Sequence, residues 1–576
     1  MIGLSKNPKI VDNILYMNAE KRVCKNCQTS FEITLDDLSF YEKMKVPPPT
    51  WCPECRTRRR FAWRNERSLH KRKCDAPGHT EDLISMYAPG VGKVFDYQQW
   101  WSDSWDAMDY GRDYDPAKSF FQQFADLRNA VPLPNLSVVN SVNSDYSNWT
   151  EFNKNCYLVF AAGLNENVRF SNKSLKNLDT QDVLYAGHNE LCHELVGCFQ
   201  CNRLLYSLNC KSSTDSAFLY DCRNCSNCFM SSNLVGKQYM FRNEQYSKDE
   251  YKKKMAEIDF GSHAVIEKLK KDFQLMHEQA IHRYANIVGS NNCTGNDINN
   301  SKNCHSCFEL FEDVEDGKFL VSCLIQSRSL YDSMGSYKVE LGYENVDTNE
   351  GHNVMGTITT YTSHDLRYCM SCHSSSNLFG CVGLRSKEYC ILNKQYTKEE
   401  YEQLVSKIIA SMGDEYGSFF PMELSPFAYN ETIAQEYFPL TRDEALEKGY
   451  RWLEPETKHY TITKQAKDLP DHIKEVDESI LKEVIGCEHG ATCTDACTTA
   501  FKIIGPELQF YQRLNLPLPR LCPNCRHYAR LKQRNPLKLW HRKCMREGCE
   551  NEVETSYAPD RKEIVYCESC YQQEVM

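Results

Sequence analysis

Twelve of the thirty cysteines stand in pairs whose spacing suits a tetrahedral metal ion. Cys24-x2-Cys27 and Cys52-x2-Cys55 are separated by 24 residues, and two such knuckles closing on each other supply four thiolates, each about 2.3 Å from a zinc ion. Near the other end, Cys493-x3-Cys497 faces Cys522-x2-Cys525; the incoming loop is wider, and Cys487 and His489 lie close enough to compete as ligands. A further set is Cys544-x4-Cys549 with Cys567-x2-Cys570. The expectation is three zinc ions per chain.

These sets belong to one module present twice. Shifting the chain by 470 positions superimposes Cys27–Cys74 on Cys497–Cys544 without a gap, with 20 identities in 48 positions. At that offset Cys74 and His79 keep a possible pair of ligands, but Tyr97 and Trp100 take the positions of Cys567 and Cys570. Two rings in place of two thiols predict an apolar plug where a fourth ion would sit.

After each C-P-x-C the sequence turns basic. Residues 56–73 hold nine Lys or Arg against Glu66 alone, and residues 520–546 hold nine with no acid, although the whole chain carries a formal charge of -10. Arg56, Arg60 and Arg64, and likewise Arg526, Arg530 and Arg534, recur every fourth residue, which puts them on one helix face. Guanidinium forks at that spacing suit phosphate oxygens, and Phe61, Trp63, His70 and Trp540 could stack on bases. The candidate nucleic-acid contacts are these six with Arg72, Lys73, Arg542 and Lys543, and the expected partner is RNA rather than DNA. The competing reading is that the basic segments dock on the acidic remainder of the chain or on a protein partner.

The string C-x2-C-x3-F, F-Y, C-P-x-C-R, over residues 24–60 and again over 493–530, resembles the bacterial "probable zinc-ribbon" domain proteins, in the large duplicated form found in small-genome bacteria. The resemblance implies zinc at the matched cysteines and carries no activity across.

Between the modules, "YMFRNEQYSKDEY" at 239–251 returns as "YCILNKQYTKEEY" at 389–401, an offset of 150. Short apolar strings recur every 10–15 residues, separated by Asn, Ser, Gly and Cys. Strands that short, with no helix between them, predict parallel β-solenoid arrays with coils of 20–25 residues. Cys198/Cys201, Cys222/Cys225/Cys228, Cys304/Cys307 and Cys369/Cys372 fit there as buried core thiols, because no second pair recurs at a fixed separation. Each array ends in a capping box, Ser247/Glu250 and Thr397/Glu400.

The fold class expected is therefore multidomain and mainly β: two terminal zinc-ribbon-like modules flanking two parallel β-solenoid-like arrays, each followed by a helix. The segments are 20–114 for the first module, 115–134 a helical connector, 135–245 the first array, 246–285 helical, 286–396 the second array, 397–483 a helical connector with an acidic linker, and 484–576 the second module. Asp115-Pro116 is expected to open a helix reaching about residue 130. With no apolar run of about 20 residues and no secretory h-region after the N-terminus, thirty cysteines point to a reducing cytoplasm. His188, Glu190, His193 and Glu194, and Asp313, Glu315 and Asp316, are the polar clusters an exported glycan-cleaving enzyme would need, and surface corners explain both. The function expected is a non-enzymatic zinc-stabilised scaffold.

Overall fold

The computed structural model describes residues 19–575 apart from 324, 337, 338, 347, 349, 455–459 and 491. The chain forms two compact units that do not follow its order. One contains the N-terminal module and the second array, up to Asn135 and from Ile287 to Leu453; the other contains the first array and the C-terminal module, Leu136–Asn286 and Glu454–Met576. Each module thus belongs with the array more distant from it in sequence.

In the unit holding the first array, an 11-stranded sheet runs in sequence order, parallel throughout except for its last hairpin. Its register is uniform: Arg169 pairs with Gln181, Gln181 with His193, and Asn202 with Thr214, so each segment lies beside the one twelve residues later. The repeat is therefore 12 residues, not the 20–25 expected. A left-handed backbone recurs at every third position, as at Asn155, Leu158, Ala161 and Leu164. The side chains between these bends point inward with the same period: Asn153, Cys156, Val159, Ala162, Asn165 and Val168 are all buried. Four such three-residue steps make up the twelve-residue register.

The polar interior is hydrogen-bonded from one repeat to the next. Asn153 Oδ1 accepts the N–H of Asn165, Asn165 that of Asn177, Asn177 that of Asn189, and Asn189 that of Cys201, each at 2.9 Å. Farther on, thiols take over. Cys198, Cys210 and Cys222 lie at equivalent inward positions, and each donates to the carbonyls two residues before and nine residues after it. The side-chain amides of Asn165, Asn177 and Asn189 each donate to a carbonyl nine residues on, at 3.1, 3.1 and 2.9 Å, which offsets their burial.

The other unit repeats the plan less regularly. Lys302 pairs with Glu315 and Glu312 with Ile325, repeats of thirteen, whereas His364 pairs with Ser376 and Ser376 with Glu388, repeats of twelve. The helices Lys248–Ala256 and Lys398–Met412 open on the expected capping boxes of Ser247/Glu250 and Thr397/Glu400. The helix expected from Asp115-Pro116 begins later, at Phe120–Ala130. The acidic stretch expected as a linker is packed instead, with Leu469, Ile473, Val476 and Ile480 in the core of its unit. No helix among the described residues is long and apolar enough to cross a membrane.

Candidate metal centres and the arginine latch

Each C-P-x-C places its two thiols by local chemistry. Cys52 and Cys522 cap the helices Pro53–Phe61 and Pro523–Leu531, with proline at the first helical position, where its missing N–H costs nothing. The second cysteine, Cys55 or Cys525, sits in the first turn, where the positive end of the helix favours a thiolate. The opposing knuckle completes the set. The Cys52 N–H donates to Cys24 Sγ at 3.2 Å, and Cys27 Sγ lies 3.7 Å from Cys52 Sγ.

Three groups of four cysteines result among the described residues: Cys24/Cys27/Cys52/Cys55, Cys487/Cys497/Cys522/Cys525 and Cys544/Cys549/Cys567/Cys570, each with ligand atoms within 4.8 Å of one another. Four sulfurs about 2.3 Å from a tetrahedral ion stand about 3.8 Å apart. The separations of 3.7 Å for Cys27–Cys52, 3.9 Å for Cys487–Cys525, 4.0 Å for Cys497–Cys522 and 3.9 Å for Cys549–Cys567 fit that ion. Thiols packed this closely already compete for protons. A hydrogen bond with Cys55 pulls Cys52 down to about 5 and pushes Cys55 far up. Burial opposes ionisation of Cys567, yet hydrogen bonds from Asn551 and Ser569 bring it to about 6.

The middle set corrects the one expected. Cys493 is replaced by Cys487, whose Sγ accepts the Cys522 N–H at 3.2 Å, the bond that Cys24 makes with Cys52. The gapless offset of 470 had hidden this, because the loop joining the first two ligands has two residues in one copy and nine in the other.

The vestigial fourth site is also corrected. Cys74 accepts the N–H of Asp96 at 3.3 Å, as Cys544 accepts that of Cys567, so Asp96 and Gln99, not Tyr97 and Trp100, stand where Cys567 and Cys570 would. One residue inserted between the hairpin and this segment moves the frame. Trp100 is fully buried, but it packs on His373 and bonds to the Pro132 carbonyl, while Tyr97 is half-buried.

The arginine stripe points inward. Arg56 Nε donates to Asp332 Oδ2 at 2.9 Å, with Nη2 2.7 Å from the same oxygen, and Arg60 Nη1 lies 3.2 Å from Oδ1. In the other unit, Arg526 Nη1 and Arg530 Nη1 each lie 2.7 Å from one oxygen of Asp182. Arg56 also lies over Phe319, 5.4 Å from its centroid, and Arg526 over Phe170 at 4.3 Å. Arg64 is buried against Glu66, and Arg534 is half-buried over Tyr185. Arg72 and Arg542 bond to carbonyls of their own loops. Only Lys73 and Lys543 of the ten are exposed, beside Asp82 and Glu550. Phosphate contacts would need the stripe at the surface, but Arg56, Arg60, Arg526 and Arg530 lie on the helix face that meets the array, and Arg64 and Arg534 lie beyond the helix ends. Trp63 likewise packs on Phe420 and bonds to the Pro421 carbonyl.

Neither the protein-family models nor the curated proteins searched match this chain.

Electrostatics explain why charge is tolerated there. Burial opposes ionisation of Asp182, but Arg526 and Arg530 outweigh it and hold the carboxyl below its ordinary value. Glu507, with Oε1 3.3 Å from Arg526, is pushed up to about 7 by burial against the pull of that arginine. His193, one of the clustered residues of the glycan-enzyme reading, is buried beside Tyr206 and Tyr511 and is held neutral, at about 4. Asp313 and Asp316 remain exposed.

Proposed function

We propose that this chain is a zinc-stabilised, non-enzymatic scaffold for a protein partner, built from two parallel β-solenoids, one of twelve-residue coils and one mixing coils of twelve and thirteen, each clasped by one copy of a duplicated zinc-ribbon module. The observation that carries this reading is the burial of Arg56 and Arg60 on Asp332 and of Arg526 and Arg530 on Asp182. The basic segments then neutralise the protein's own carboxylates, and the zinc sites stiffen the helix that carries each arginine pair. Nucleic acid loses its main contacts on this account.

A protein partner is favoured by the outer surface of the first array, where Val142, Tyr146, Phe152, Leu164 and Leu178 are exposed apolar side chains. Phe152 and Leu164 are twelve residues apart and so neighbours on successive coils. Apolar groups in register suit a protein surface and offer nothing to phosphates. A photo-crosslinking amino acid at position 152 of the full-length protein, activated in cells before nuclease treatment, tests the reading. Discrete protein adducts support it, whereas adducts that disappear with nuclease restore the nucleic-acid reading.

A further inference from the structure

We infer that the C-terminal ribbon binds a second metal ion beside its first, held by His489, Cys493, Asp495 and Cys525, with the Cys525 thiolate shared between the two. The ligand atoms of these four residues lie within 4.8 Å of one another. Cys525 also belongs to the group of Cys487, Cys497 and Cys522. Cys493 Sγ lies 3.7 Å from Cys525 Sγ and Cys487 Sγ lies 3.9 Å from it, so Cys525 stands at a tetrahedral ligand-to-ligand distance from a thiol of each set.

Five cysteines exceed what one tetrahedral ion takes. The surplus is local: the nine-residue loop 488–496 carries His489, Cys493 and Asp495, whereas the two-residue loop of the other copy carries Lys25 and Asn26. An independent observation points to a ligand. His489 Nδ1 is buried and has no hydrogen-bond partner, a costly arrangement for a ring nitrogen unless a metal occupies its lone pair. Asp495 is buried as well, and Lys532 Nζ holds its two oxygens at 2.7 and 2.9 Å. Each oxygen keeps a second lone pair for a metal, and the ammonium offsets charge. Five thiolates and one carboxylate against two divalent ions leave a net charge of about -2, which Lys532 halves.

The inference rests on the reading of the ribbons as metal centres, and the experiment separates the two. The full-length protein is saturated with zinc under reducing conditions, freed of loose metal, and its zinc and sulfur are measured by elemental mass spectrometry. Four zinc ions per chain are expected in the wild type and three in His489→Ala/Asp495→Asn. Three in both, or four in both, overturns the shared site, while none in either overturns the ribbons as metal centres. Cobalt(II) loading gives a second readout that a folding defect does not imitate. A thiolate-bridged pair couples its spins, so the wild type should show less paramagnetic signal per cobalt than Cys493→Ser, and equal signals contradict the bridge.

Discussion

Asp332 and Asp182 stand 150 positions apart, at the same left-handed bend in two copies of one array, with φ of 57° and 56°, and each receives two guanidiniums from the helix that follows a C-P-x-C. Aspartate tolerates that backbone better than most residues. Removing one member of a buried ion-pair set leaves the others uncompensated, at a cost of about 3–5 kcal/mol. Asp182→Asn and Asp332→Asn should each destabilise by that order in urea, while Asp249→Asn, exposed in the first turn of its helix, should cost at most about 1 kcal/mol. Equal effects at all three positions would remove the latch from the account.

Glu507 gives the second unit a pH dependence of definite sign. Its folded value is about 7 against an ordinary 4.5, so the folded state keeps a proton that the unfolded chain releases. The contribution is complete below about pH 4.5 and is lost as the pH rises to about 7. Between those limits Glu507→Gln should flatten the fall in stability with pH, as measured by urea midpoints at pH 5 and 7.5. A variant with the wild-type slope would contradict the burial argument.

Metal content should follow the ribbon cysteines and ignore the vestigial site. Cys52→Ser and Cys567→Ser should each lose one zinc ion per chain, whereas Cys74→Ser should keep the wild-type count. Loss of metal from Cys74→Ser would mean that Cys74 and His79 still bind an ion with other partners.

The array thiols Cys192 and Cys201 should be inert. Burial pushes Cys192 and Cys201 up to about 12, and the thiolate is the reactive form. In the native protein these residues should resist alkylation by iodoacetamide for as long as the fold persists, and Cys210→Ser should leave the zinc count unchanged. Rapid native labelling of Cys192 or Cys201 would argue against an interior position.

What was legible in the sequence was whatever rested on local spacing. The Cys-x2-Cys knuckles and the capping boxes depend on residues a few positions apart, and the duplication shows as the same local strings repeated at fixed offsets. The array period is not legible from the apolar strings, which read alone suggest several strands to a longer coil, whereas with a bend every three residues a string and its polar neighbours make a complete repeat. The same period explains the internal Cys-x2-Cys pairs: residues three apart point into the same interior, so Cys222, Cys225 and Cys228 imitate a metal knuckle. The direction of the arginine face was beyond local reading, since an i, i+4, i+8 stripe looks the same whether it meets phosphates or carboxylates. The carboxylates that decide the matter, Asp332 and Asp182, lie 276 and 344 residues from Arg56 and Arg526. A usable signal was present, because the array offset of 150 carries Asp182 onto Asp332 just as the ribbon offset of 470 carries Arg56 onto Arg526.

The most direct test of the latch is the rate at which each arginine reacts with phenylglyoxal in the native, zinc-loaded protein, read by peptide mass spectrometry. Arg56, Arg60, Arg526 and Arg530 should stay unmodified while the exposed Arg442 and Arg513 react, and all four should become reactive once urea unfolds the chain. Modification of the four at the rate of Arg442 and Arg513, with protection on adding single-stranded RNA, would contradict the account and return the stripe to nucleic acid.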